Sequence, residues 1–154
     1  MIRQPLSTSP DYLQSIRGLH RLHALAETGQ DDSPEADAIR DSLERPWRSL
    51  SEVEKKRITG LSEDLYSLLE AAGETLPMNP QAQQELDEAS SARQAGDWDQ
   101  ALELLRRWHR YLDPEVLAHL RGSIWRDAGD PETAALFLQH AARLNPNGII
   151  YGAR

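Results

Sequence analysis

Residues 122–146 read GSIWRDAGDPETAALFLQHAARLNP, two helical patterns separated by one break. Gly129 supplies the break, because glycine accepts the left-handed cap conformation at little cost. Asp130 then stands where a helix N-cap belongs, with Pro131 in the first turn. Two antiparallel helices approach closely only if small residues sit where they cross, and Gly122 and Ala134 meet that need. Trp125 and Leu138 fill the space beside the crossing. The pattern recurs 33 residues upstream as Ala89, Ala92, Gly96, Ala101, Leu105 and Trp108, with Asp97 as the second N-cap. Asn79-Pro80 and Asp113-Pro114 open the first helix of each pair.

The series Gly122, Trp125, Gly129, Ala134, Leu138, Ala141 and Pro146 resembles one tetratricopeptide repeat, a two-helix unit of about 34 residues that stacks into protein-binding scaffolds. With the upstream copy, the resemblance covers residues 80–146. Arg121 departs from it, standing where the family carries a large apolar residue. The resemblance implies a concave groove lined by the first helix of each repeat. Here that assigns Gln83, Leu86, Ser90, Arg93 and Gln94, then Val116, His119, Ser123, Arg126 and Asp127. Arg93 and Arg126 occupy equivalent places and form an arginine pair suited to a carboxylate on a bound peptide. The family's chaperone-tail binders use a lysine- and asparagine-based clamp. Residues 80–154 contain no lysine, so that activity is not implied.

A chain of 154 residues is long enough for one full core. Its formal charge of −8 disfavours non-specific binding to nucleic acid or anionic membranes. No cysteine is present, which excludes disulfides, thiolate nucleophiles and Cys-ligated metals. Neither a signal-peptide core nor an apolar run of membrane-spanning length occurs, so a cytoplasmic protein is expected. Leu, Ala, Glu and Gln dominate over Val, Ile and Phe, so strands are disfavoured.

Residues 1–79 resemble no named family. Ser9-Pro10 opens a helix through Leu13, Ile16, Leu19, Leu22 and Leu25, closed by Gly29. Ser33-Pro34 opens a second, with Ala36, Ile39 and Leu43 on one face and Pro46 as its stop. Ser51 and Glu54 form a capping box for a short third helix reaching Gly60. Ser62 caps a fourth, ending at Gly73. Glu74–Asn79 reads as the linker between halves. An all-α protein is therefore predicted: about four N-terminal helices over 1–79, capping two repeat pairs over 80–154 as one continuous unit. The tail, through Ile149, Ile150 and Tyr151, is expected to cover the far helix end.

The chemistry-bearing residues are few. His20 and His23 share one helix, and His109, His119 and His140 fall in three others; no metal-ligand spacing results. Arg106-Arg107-Trp108-His109-Arg110-Tyr111 mixes bases with aromatics, a combination that binds single strands, but the packing role of Trp108 explains it as well. Carboxylate pairs such as Asp97 and Asp99 sit at helix starts, where the dipole favours them. Trp47 is a candidate surface anchor for a partner. No catalytic motif or cofactor site is recognisable. The function expected is an adaptor, not an enzyme, binding another protein or a peptide segment and neither nucleic acid nor membrane. Two alternatives stand beside it. One is a self-assembling subunit that forms homo-oligomers. The other is a small-ligand or enzymatic domain with a closed polar pocket built from Arg17, His20, His23, Asp37 and Asp41.

Overall fold

The computed structural model describes residue 6 and residues 8–71 and 73–146; the expected role of Ile149, Ile150 and Tyr151 lies outside them. All described elements are helical. They are α1 (Pro10–Glu27), α2 (Pro34–Arg48), α3 (Glu52–Ser67), α4 (Pro80–Gln94), α5 (Trp98–Arg107), α6 (Pro114–Ala128) and α7 (Pro131–Leu144), with a 3₁₀ turn at His109–Tyr111. No described helix is long and apolar enough to cross a membrane. The chain divides near residue 72 into two compact units, one holding α1–α3 and the other α4–α7.

In the first unit, Ser9, Ser33 and Ser51 cap α1, α2 and α3, and Ser51 closes its capping box with Glu54. Two expected helix ends are absent. Pro46 does not stop α2, which runs on to Arg48 with Pro46 buried inside it. At this late position a proline removes only the bond to the Ser42 carbonyl, a smaller loss than in a helix centre. Nor does Gly60 end a helix: α3 is continuous across Gly60, Leu61 and Ser62, so this unit has three helices rather than four. Ile58, Leu61 and Leu65 are all buried, and the apolar stripe they make outweighs the roughly 1 kcal/mol that Gly60 costs a helix interior. α1 packs on both α2 and α3. Its crossing with α2 is at Gly18, where a Cβ would lie 2.6 Å from Leu43 Cδ2.

The second unit is two helix pairs in series: α4 packs on α5, α5 on α6, and α6 on α7. Gly96 and Gly129 end α4 and α6 with φ of 80° and 98°. In both, the next N–H reaches back five residues, Asp97 to the Ala92 carbonyl and Asp130 to that of Trp125. Asp97 and Asp130 then cap α5 and α7 through Gln100 and Thr133. Gly122 lies at the α6–α7 crossing as expected, since a Cβ there would meet Leu138 Cγ at 2.6 Å and the Ala134 carbonyl at 3.1 Å. Arg121, the departure from the repeat pattern, is buried all the same. Asp113 does not cap α6 with its side chain. Instead it accepts a hydrogen bond from Thr75 at 2.9 Å, while the Leu76 N–H donates to the Arg110 carbonyl at 2.8 Å. Part of the expected linker is thereby fastened to the second unit.

Candidate functional site

Four of the expected groove residues converge on α4 and α6. Arg93 Nε donates to Asp127 Oδ2 at 2.8 Å, with each side chain about 30% exposed. Burial, then the neighbouring Arg126 and Arg93 guanidiniums, hold the His119 imidazole below the usual histidine range. Arg93 and Arg126 are therefore the cations near this imidazole, and Asp127 balances one of them. Both arginines act on this one imidazole, but Arg93 is already engaged along its Nε side. Spacing contains the signal for this pair. If residue i+33 stacks on residue i, then i+34 stands one step beyond, within reach of Arg93.

Other groove candidates divide by exposure. Gln83, Ser90, Gln94 and Arg126 are exposed, and Leu86 and Val116 are half-buried. Gln83 donates to Asp87 along α4. Ser123 is 2% exposed and presents nothing to a partner. The reason is position: α6 packs against both α5 and α7.

On another face of the same unit, Trp108 and Arg107 converge on Glu85. The indole N–H donates to Glu85 Oε1 at 2.8 Å and Arg107 Nη1 to the same oxygen at 2.9 Å. The Trp108 bond, with Arg107 adding to it, holds the Glu85 carboxyl below its ordinary range. Trp108 also meets Tyr111 edge-on at 5.5 Å. Arg107 and Trp108 of the basic and aromatic run thus brace α4 against the end of α5, an arrangement that sequence spacing did not reveal because Glu85 lies more than twenty residues upstream.

In the first unit, Trp47 belongs to α2 rather than to a segment after it, and is 38% exposed with Lys55 Nζ 5.8 Å from its ring. His23 is buried, not on an exposed face, and lies 3.6 Å from Glu27 one turn on; the i, i+4 spacing was the available signal. Arg17, Asp37 and Asp41 are exposed, and His23 borders a hollow together with Leu19, Leu22, Leu65 and Leu69. Among the described residues no group of three or more His, Cys, Asp or Glu is placed to hold a metal ion.

Comparison with family models, with curated proteins and with solved structures finds no match.

Proposed function

We propose that this chain is a protein-binding adaptor of tetratricopeptide type, whose partner segment lies along α4 and α6 and places a carboxylate at Arg126 and Arg93. One observation supports the reading: Arg93 and Arg126, drawn from two helices one repeat apart, both lie close enough to His119 to lower its proton affinity, on a chain of charge −8. Such a pair selects an anionic segment, because the rest of the surface repels it. Asp127 supports the reading by fixing the Arg93 fork through Nε. The terminal nitrogens have no protein partner among the described residues, which leaves them for bidentate pairing.

Placing a photo-crosslinking amino acid at Gln94 or Val116 tests the surface directly. Adducts with one partner protein should form from these positions in extracts of the native source, and not from the exposed Ala142 of α7. The reverse pattern would move the binding surface away from α4 and α6.

A further inference from the structure

A carboxylate is built into the arginine pair of α4 and α6. Asp127 Oδ2 accepts from Arg93 Nε at 2.8 Å across the two helices, and both side chains stay about 30% exposed. Asp127 does not serve the helix that carries it. It stands one residue before the end of α6, where the negative end of the dipole disfavours a carboxylate. A partly exposed ion pair of this kind also adds little to folding. Its effect falls on what the arginines can receive. Arg126, the preceding residue, is exposed and has no hydrogen bond or ion pair among the described residues. His119 beside them, held below the usual histidine range, is neutral above neutral pH. Two guanidiniums and one carboxylate thus leave the pair only weakly positive.

Geometry and charge both limit the occupant. With Nε taken, Arg93 offers its two terminal nitrogens, an edge that matches the two oxygens of one carboxylate. Attraction to the pair grows in proportion to a ligand's charge, whereas the cost of drawing that ligand out of water grows with the square of its charge. A weakly positive site therefore takes a monoanion and leaves a dianion in solvent. We propose that Asp127 is a specificity-determining residue, which sets the α4–α6 surface to receive a single carboxylate and to reject a phosphorylated segment. This role rests on the α4–α6 surface being the binding face.

NMR titration of the full chain tests it, reading the amide signals of Arg93 and Arg126. The probes are three peptides of one sequence, alanine and leucine with a final serine, about five residues long. One ends in a free carboxylate and one in an amide. The third is the amide with its serine phosphorylated, a dianion at about pH 7.5. Wild type should bind the carboxylate peptide at least about threefold more tightly than the phosphopeptide. Asp127→Asn keeps an oxygen for Arg93 Nε and removes the charge. Each negative charge on a ligand feels the same repulsion from Asp127, so the carboxylate peptide should gain about threefold and the phosphopeptide the square of that, about tenfold. Glu115→Gln removes the same charge about 18 Å away along α6, beyond the screening length, and should leave both affinities at the wild-type value. Equal gains for the two peptides in Asp127→Asn, or no gain in either, would overturn the proposal. So would the same gains from Glu115→Gln, or a wild type that prefers the phosphopeptide. A carboxylate affinity left unchanged by Arg93→Ala with Arg126→Ala would instead remove the α4–α6 binding surface itself, and the role of Asp127 with it.

Discussion

Gly18 and Gly122 serve the same purpose in two settings. Each lets a helix pair close up, and a Cβ on either would lie 2.6 Å from a leucine carbon. They differ in what stands behind that leucine. At Gly122 the Ala134 carbonyl is also 3.1 Å away, and the crossing sits beside Trp125 and Phe137, both fully buried. At Gly18 the three nearest atoms all belong to Leu43, a half-buried side chain. One crossing is backed by backbone and packed core, the other by a side chain with room to turn. Close approach alone does not make a joint rigid; the neighbours that would have to move decide it.

The largest expected effect is at the backed crossing. Ala134→Glu places a charge and extra volume at a site 2% exposed, and should lower stability by roughly 3 kcal/mol or more, read as loss of the thermal transition of α4–α7. An unchanged melt would dissolve the account of the α6–α7 pair. Next comes Gly122→Ala. Its helix-propensity gain of about 1 kcal/mol is set against overpacking on backbone, and a net loss of about 1–2 kcal/mol in urea unfolding is expected. Gly18→Ala carries the same propensity gain, but Leu43 can swing away. Its unfolding midpoint should stay within about 0.5 kcal/mol of wild type or rise slightly. Equal losses at the two glycines would erase the distinction.

A smaller effect concerns pH. His119 binds its proton less readily in the folded state than at its ordinary value of 6.5. The unfolded chain therefore takes up more protons on acidification, and stability falls as pH drops through 6.5 toward the lower folded value. His119→Gln should flatten the decline in melting midpoint between neutral pH and about pH 5.5. A slope identical to wild type would mean that neither burial nor the two guanidiniums lower the proton affinity of the imidazole.

How far the fold could be read in advance depended on whether the signal was local. Gly96, Gly129, Asp97 and Asp130 each act on the neighbouring turn, and every one does what its spacing implies. Ser51 with Glu54 is equally local. Gly60-Leu61-Ser62 looks like a stop and a new cap, yet α3 runs through it, because burial of Ile58, Leu61 and Leu65 is a tertiary term that a local reading cannot weigh. α4 carries Gln81, Gln84, Asp87 and Glu88 at exposed positions, groups at home in water. At the candidate site, the repeat period brought Arg93 and Arg126 together on paper, but the Asp127 contact crosses between helices and became visible only with the coordinates.

The central claim is that the arginine pair on α4 and α6 receives a partner carboxylate. Its most direct test is the affinity, by calorimetry, of the partner segment recovered by crosslinking, for the wild type and for Arg93→Ala with Arg126→Ala, with both melts run in parallel. Binding should weaken by more than about 1.5 kcal/mol, roughly tenfold or more, since each arginine gives a charge-assisted hydrogen bond. The melting midpoint should hardly move, because partly exposed ion pairs such as Arg93–Asp127 contribute little to folding. Equal affinity in the two proteins would contradict the account.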